Sequence, residues 1–301
     1  MASEPLKKLT PEEQKKEQEK RIVSLLTFLQ ANNKYLEKDE AELTNGLAEA
    51  MGGKIVQDVG STSFLDFIQH VYPGYKVGAH HARLAKIFED IAEGKKKRVI
   101  VNIAPRHGKS ELISYLAPAW FLGKFPYKKV IMASHTADLA IGFGRRVRNL
   151  VGSDAYKDIF PQVELQADSK SASRWGTNFN GEYFAIGVGG ALAGRGADLF
   201  IIDDPHSEQQ AMLGRPDVFL PAWEWFQSGP IQRLMPGGAI IVVMTRWSKL
   251  DLTGQIINQM VKQEGVDQWE VVEFPAIIEN KQGEEVPLWP EFWSIEELRA
   301  K

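Results

Sequence analysis

The stretch Arg98–Glu111, which reads RVIVNIAPRHGKSE, limits the possible folds of this chain more than any other. It opens with an apolar, mostly β-branched run over 99–103, which is typical of a strand buried in a parallel sheet. The run breaks at Ala104-Pro105-Arg106, and a helical pattern resumes from Gly108. A strand, a tight loop and a helix opened by Gly-Lys-Ser have the layout of a phosphate-binding loop.

The physical chemistry of such a loop gives its residues candidate roles. Glycine lets the backbone approach an anion, and the free N–H groups and dipole of the helix start favour negative charge there. Lys109 is expected to reach the β- and γ-phosphates of a nucleotide, and Ser110 to hold Mg²⁺. The residues predicted to bind the nucleotide here are Pro105, Arg106, His107, Gly108, Lys109, Ser110 and Glu111.

The loop departs from the usual pattern at one position. A glycine normally stands five residues before the Gly-Lys pair, whereas this chain has Ile103 there. As a motif alone the match is therefore weak. The alternative is an ordinary α/β unit in which Gly108-Lys109-Ser110 merely begins a helix.

Composition excludes several classes of protein. The 301 residues suffice for one large α/β domain with a small appendage. The net charge is −3, so any contact with DNA must come from local patches. The absence of cysteine excludes disulfides, cysteine-bound zinc and thiol catalysis. No apolar run approaches the roughly 20 residues that span a bilayer, and we expect no membrane association.

Helix signals divide the chain into an appendage and a core. Residues 1–60 are predicted to form a small helical appendage, with one helix over about 10–31. A second helix over about 38–51 is predicted to stop at Gly52-Gly53. Residues 61–290 are predicted to form the core, and 291–301 the start of a linker.

Two histidines precede the phosphate loop, at His80 and His81. Polar and aromatic groups in this position often lie over the base of a nucleotide, by stacking or by hydrogen bonding. The alternative is that they cap a helix or sit at the edge of the core. Two histidines without a third ligand nearby do not make a metal site.

Apolar strands alternate with helical segments through the core, which predicts a mostly parallel sheet with helices on both faces. Strands are expected at 130–134, 183–188, 199–202, 239–245 and 269–274, and helices at 136–151, 216–228 and 250–262. Ligands of such sheets bind at the carboxyl ends of the strands. The polar clusters of this chain fall at those ends.

The strand over 199–202 ends in two carboxylates, Asp203 and Asp204. A buried strand that ends in acids needs a cation at its tip, since buried charge is costly. We assign Asp203 to Mg²⁺ and Asp204 to the attacking water, as in phosphate-loop enzymes. The alternative is a strand end capped by a helix-starting Asp. With the loop, these acids predict an α/β fold of the P-loop NTPase class, of the ASCE type.

Phosphoryl transfer also needs positive charge on the transferred group. Arg106 lies in the loop, Arg195 stands between two glycines, and Arg246 follows an apolar strand. Arg195 can serve its own subunit or a neighbour. Thr245 can sense the γ-phosphate through a hydrogen bond. For each arginine, a structural or surface ion pair is the alternative.

Taken together, these stretches resemble the ATPase domain of the large terminase subunit of tailed phages, the motor that packages DNA. The resemblance covers roughly residues 75–290. It is carried by four stretches, Ile103–Glu111, Gly187–Gly196, Ile201–Pro205 and Met244–Gly254.

The resemblance implies a deviant Walker A loop with an arginine inside it, which accounts for Ile103. It implies that Asp203 is the Walker B metal residue. It also implies that Thr245-Arg246-Trp247 couples hydrolysis to motion. Some relatives have Glu where this chain has Asp204, so the base assignment depends on a shorter side chain.

The resemblance further implies partners and a cell compartment. Double-stranded DNA, a portal protein and a small terminase subunit are the expected partners, with ATP and Mg²⁺ as cofactors. A homo-oligomeric ring on the procapsid is expected, or a monomer in isolation, in the host bacterial cytoplasm. A nuclease domain usually follows in this family. No acid triad for it is found here, and no nuclease activity is expected from this segment.

Three rival functions remain open at this point. One is another P-loop motor acting on nucleic acid, such as a helicase-like ATPase. Another is a nucleotide-binding scaffold module without hydrolysis, against which Asp203-Asp204 argues. The third is a bare DNA-binding module, which the acidic net charge disfavours.

Overall fold

A computed structural model describes residues 52–168, 171–212 and 215–300, and the chain divides into two compact units, Met1–Val59 and Gly60–Lys301. The predicted helices over 10–31 and 38–51 lie outside the described residues. The predicted stop at Gly52-Gly53 is wrong, because residues 52–59 are helical. Neither glycine has the positive φ of a helix-ending glycine, and glycine within a helix costs stability without preventing the helix.

The second unit is built on a seven-stranded sheet. Its strands in chain order are β1 Arg98–Ile103, β2 Lys129–Ser134, β3 Arg174–Gly176, β4 Glu182–Gly187, β5 Ala197–Asp203, β6 Leu234–Met244 and β7 Glu270–Phe274. They lie side by side in the order β3-β4-β2-β5-β6-β1-β7. All neighbours are parallel except β3 and β4. A separate antiparallel pair joins β8 Ile277–Glu279 to β9 Glu285–Pro287.

Helices precede, connect and follow the strands. They are α1 Phe64–Val71, α2 Ala79–Ala92, α3 Ala117–Lys124, α4 Ala137–Val151, α5 Asp154–Ile159, α6 Glu208–Met212, α7 Leu220–Ser228, α8 Leu252–Lys262 and α9 Ile295–Arg299. Short 3₁₀ segments lie at Pro216–Val218 and Pro230–Arg233. A π-helical segment, Glu111–Leu116, leads directly into α3. None of the described helices has the length and apolarity needed to cross a membrane.

The two faces of the sheet are buried by different helices. On one face, Phe200 and Ile240 pack in a cluster that includes Trp225 of α7 and Ile256 of α8. Residues one position along the same strands, such as Ile201 and Ile241, are also fully buried. Because neighbouring side chains on a strand point to opposite faces, both faces of the sheet are covered.

The predicted α/β class, a mostly parallel sheet flanked by helices, is confirmed. The predicted strands and helices agree with the observed ones to within a few residues. The largest difference is β6, which begins at Leu234 and runs over Pro236-Gly237-Gly238 before its apolar part. Proline and two glycines interrupt the apolar run there, and they hid the first half of the strand.

Candidate nucleotide-binding site

The sheet order brings the three central strand ends together. Asn102 of β1 lies beside Met244 of β6, and Val243 lies beside Asp203 of β5. Because these strands are parallel, the residues that follow them meet at one edge of the sheet. The predicted phosphate loop therefore lies next to Thr245 and Asp204 at this edge.

Backbone conformation explains which position of the loop requires glycine and which does not. Gly108 has φ of +77°, and a Cβ built on it would lie 2.3 Å from Nε2 of His81. Both facts require glycine at this position. Arg106 also has a positive φ, of 60°. Ile103 is still part of buried β1, so the turn is made later, at Arg106 and Gly108, and no glycine is needed at 103.

The other loop residues point in several directions. The ring of His107 is buried, and its Nδ1 donates to the carbonyl of Pro105 at 2.8 Å. Arg106 is exposed, and its carbonyl accepts from the indole of Trp293. Glu111 forms an ion pair with Arg146 of α4.

The histidine pair supports the loop from inside the protein. His80 and His81 are 2% and 0% exposed, and Nε2 of each lies 3.1 Å from the carbonyl oxygen of His107. The amide of Gly78 donates to Nδ1 of His81, which caps the start of α2. Burial lowers the pKa of both imidazoles, that of His81 to about 3. This geometry fits the capping alternative rather than contact with a base.

Lys109, Asp204 and Thr245 form one connected group. Nζ of Lys109 lies 2.9 Å from Oδ2 of Asp204 and 3.3 Å from Oγ1 of Thr245. The amide of Thr245 donates to Oδ1 of Asp204 at 2.9 Å. Asp204 has φ of 41°, a value unusual for a residue with a side chain. The turn after β5 thus aims this carboxylate at the lysine of the loop.

Asp203 is the buried acid of the site. It is 1% exposed, and its Oδ2 accepts a 2.7 Å hydrogen bond from Oγ of Ser114. Burial, followed by the charge of Asp204, raises the pKa of Asp203, whereas Ser114, Lys109 and Ser110 act in the opposite direction. Oδ1 is also buried and makes no hydrogen bond of normal geometry to a described residue. A carboxylate oxygen in this state fits a divalent cation, which would compensate its burial.

Comparisons with known proteins gave matches among solved structures only. No protein-family model and no curated protein matches the chain. The bacteriophage HK97 large terminase is similar over 75% of this chain and 45% of its own, with 17% identity and a TM-score of 0.48. The ATPase domain of the Thermus phage P74-26 large terminase is similar over 75% of this chain and 87% of its own, with 18% identity and a TM-score of 0.44.

A large terminase of a thermophilic bacteriophage, in complex with ADP, also matches. It is similar over 70% of this chain and 47% of its own, with 10% identity and a TM-score of 0.38. The chain thus resembles phage large terminases. It spans less than half of the HK97 protein and of the ADP-bound protein. Likeness at these identities and TM-scores carries no activity over to this chain.

Two of the three candidate arginines are held in ion pairs. Nε of Arg246 lies 3.0 Å from Oδ2 of Asp251, and its Nη2 donates to the carbonyl of Ser248. Arg195 contacts Glu182 at 3.2 Å and lies 3.7 Å above the ring of Phe184.

The position of Arg195 separates it from the phosphate loop of its own chain. Glu182 is the first residue of β4, paired with the first residue of β2, Lys129. In a parallel sheet that edge is opposite to the one where the loop lies. Within its own chain, Arg195 therefore lies in a structural ion pair away from the loop, which is the alternative stated for each arginine. Its service to a neighbouring subunit stays a prediction.

Two residues that the sequence did not single out as site residues contact the predicted ones. They are Ser114, which donates to Asp203, and Asp251, which accepts from Arg246. A buried histidine, His206, lies beside this group, and its Nε2 accepts from the amide of Leu252 at 2.9 Å. Ser114 stands one helical turn after Ser110, a spacing that places two side chains on one face. That spacing indicated the shared face, although not the contact of Ser114 with Asp203. His206 carries no comparable signal.

A cleft of about 360 Å³ opens beside the loop. Its lining includes Pro105, Thr245, Arg246, Glu273 and Phe274. The cleft therefore lies next to the ends of β1, β6 and β7.

Proposed function

We propose that this chain is the ATPase motor domain of a viral large terminase, which hydrolyses ATP to move double-stranded DNA into a procapsid. The proposal rests on one observation above all. The loop lysine, Lys109, contacts Asp204 and Thr245 at the edge of the sheet where the loop Gly108-Lys109-Ser110 would bind a phosphate. Asp203, which is buried and has one oxygen without a hydrogen bond to a described residue, ends β5 immediately before Asp204.

In this proposal the side chains divide the work of phosphoryl transfer. The triphosphate lies along the loop, with its nucleoside in the cleft between Pro105 and Phe274. Lys109 neutralises the phosphate charge, and Asp204 orients and accepts a proton from the water that attacks in line with the leaving group. Ser110 and Asp203 would hold Mg²⁺, which when bound neutralises the charge that develops on the β- and γ-phosphate oxygens.

Thr245 and an arginine complete the proposed chemistry. The contacts of Thr245 with Lys109 and Asp204 support a role in which it senses a γ-phosphate by hydrogen bond. Arg106 is exposed within the loop and can act in cis. Arg195 is proposed to act on the site of a neighbouring subunit, and Arg246 to stay with Asp251 as part of the coupling turn.

The motor role extends the proposal beyond the site. Double-stranded DNA, a portal protein, a small terminase subunit and further copies of this chain in a ring are the proposed partners. The proposed place of action is the cytoplasm of the host bacterium, on the procapsid. Solved large terminases of similar structure support this choice over a helicase-like motor only at the level of fold.

Release of inorganic phosphate from ATP tests the proposal. The chain should hydrolyse ATP, and Lys109→Ala should abolish turnover. Lys76→Ala, which removes an exposed lysine before the loop, is the matched control and should keep the wild-type rate. Equal turnover by the Lys109→Ala variant would overturn the proposal. Stimulation by portal or small terminase subunit, rather than by single-stranded DNA, distinguishes a packaging motor from a helicase.

A further inference from the structure

The helix that follows the phosphate loop begins with an unusual winding. Residues 109 and 110 are α-helical, Glu111–Leu116 is π-helical, and α3 continues from Ala117. π-Helical turns are rare and occur often at functional sites, because the wider turn re-aims the side chains that it carries. Here the π-helical segment carries Ser114, which is fully buried.

We propose that Ser114 is a positioning residue for the metal-binding carboxylate of Asp203. This inference rests on the proposed function, since it concerns the same site. The hydroxyl of Ser114 fixes Oδ2 of Asp203, and this leaves Oδ1 directed to the cation. Ser114 itself touches neither nucleotide nor metal.

The contact between these two residues has the features of a built arrangement. The residues are 89 positions apart in sequence, both are buried, and Oγ of Ser114 lies 2.7 Å from Oδ2 of Asp203. A hydroxyl that donates to a carboxylate is a strong, directional contact in a buried place. Oδ1 of the same carboxylate makes no hydrogen bond of normal geometry to a described residue. One oxygen is therefore held and the other is available.

Nearby charge makes such a restraint necessary. Lys109 lies next to Asp204, and its charge also favours the ionised form of Asp203, against the larger effect of burial on the pKa of that acid. Without Ser114, Oδ2 of Asp203 would lose its hydrogen bond, and the attraction of this ammonium group would be opposed by one restraint fewer. Partners that orient a metal-binding carboxylate in this way commonly change metal affinity by about 10–100-fold when they are removed.

A purely structural role makes a different prediction. If Ser114 only satisfies its own buried hydroxyl, its loss would lower stability and weaken nucleotide binding equally with and without metal. If Ser114 positions Asp203, the loss appears only when Mg²⁺ is present. The dependence of nucleotide affinity on Mg²⁺ therefore separates the two roles.

The test measures binding of a fluorescent ATP analogue to the full chain in an Asp204→Asn background, which prevents hydrolysis. Ser114→Ala should shift the Mg²⁺ concentration for half-maximal tightening upward by about 10–100-fold. Affinity in EDTA should stay within about two-fold of the parent value. Ser114→Cys, which keeps the volume but donates weakly, should behave like Ser114→Ala, and is measured if the alanine variant does not fold. Thr177→Val, which removes another fully buried hydroxyl at the opposite edge of the sheet, is the matched control and should leave the Mg²⁺ dependence unchanged.

An unchanged Mg²⁺ midpoint in both Ser114 variants would overturn the inference, and so would equal weakening in EDTA. Lys109→Ala in the same background distinguishes this failure from a failure of the proposed function. If Lys109→Ala binds the analogue as tightly as the parent, the nucleotide site itself is wrong. If Lys109→Ala loses binding while the Ser114 variants match the parent, only the role of Ser114 is wrong.

Discussion

Nζ of Lys109 lies 2.9 Å from Oδ2 of Asp204, so the cation predicted to bind phosphate is paired with the acid predicted to orient water. The pair is largely buried, with the lysine side chain 9% exposed and that of Asp204 28% exposed. An incoming γ-phosphate would compete with Asp204 for the same ammonium group. Binding of nucleotide would then release the carboxylate for its role in hydrolysis.

The first prediction concerns this competition. Asp204→Asn should abolish hydrolysis and bind ATP more tightly than wild type, because Lys109 loses its competing anion. An ion pair of this exposure is worth about 1 kcal/mol, which corresponds to roughly five-fold in affinity. Isothermal titration calorimetry measures the change, with exposed Asp138→Asn as the control. Weaker binding by Asp204→Asn would show that the pair does not compete with phosphate.

The second prediction concerns Gly108. Gly108→Ala should destabilise the chain by about 1–3 kcal/mol and abolish nucleotide binding, because the residue has a positive φ and its Cβ would meet His81. Gly94→Ala is a matched control, since Gly94 has nearly the same φ, +76°, and nothing within 4 Å of its Cβ. Urea unfolding gives the free energy of unfolding of both variants, and the difference between them is the cost of the contact with His81 beyond the backbone strain. Equal destabilisation would show that the contact with His81 contributes nothing.

The third prediction concerns the pH dependence of stability. The pKa of His81 falls from 6.5 to about 3 on folding, so the unfolded chain binds more protons between these values. Stability therefore rises with pH through this window, and lowering the pH from 7 to 5 should cost about 2 kcal/mol from this group.

His81→Asn is the variant that isolates this effect. Asparagine does not titrate here, so the stability of the variant should fall less between pH 7 and 5 than that of wild type. Urea unfolding at both pH values gives the difference, and the variant at pH 7 serves as its own baseline. The same slope in both proteins would mean that His81 is not held neutral.

The fourth prediction concerns the turn that follows β6. Asp251 is fully buried and accepts from the amides of Trp247, Ser248 and Gly254 as well as from Arg246. Asp251→Asn should destabilise the chain by roughly 1–3 kcal/mol. The reason is that asparagine replaces one of the two accepting oxygens with an NH₂ group, which cannot accept a hydrogen bond. Asp217→Asn removes one member of an exposed pair and should change stability by less than about 0.5 kcal/mol. Similar values for both variants would argue against a structural role of Asp251.

Sequence patterns predicted the sheet because its strands are apolar runs. The runs at Val99–Ile103 and Leu199–Ile202 are buried on both faces, so they carry an unbroken signal. The sheet order then places the residues after these strands at one edge. The meeting of Lys109, Asp204 and Thr245 was foreseeable from that layout, although their pairing was not.

What the sequence did not reveal depends on long-range packing. The three-residue strand β3 pairs only at the sheet edge and is too short to show a pattern. The burial of His80 and His81 depends on the fold of the loop above them, which sequence spacing does not specify. The contact of Ser114 with Asp203 needs a π-helical turn, for which no reliable sequence signal exists.

A crystal structure of the chain with a non-hydrolysable ATP analogue and Mg²⁺ tests the central claim most directly. The account predicts phosphates along residues 105–110, Lys109 moved from Asp204 to a phosphate oxygen, and Oδ1 of Asp203 facing the metal site. A nucleotide bound elsewhere, with the contact between Lys109 and Asp204 intact, would contradict the account.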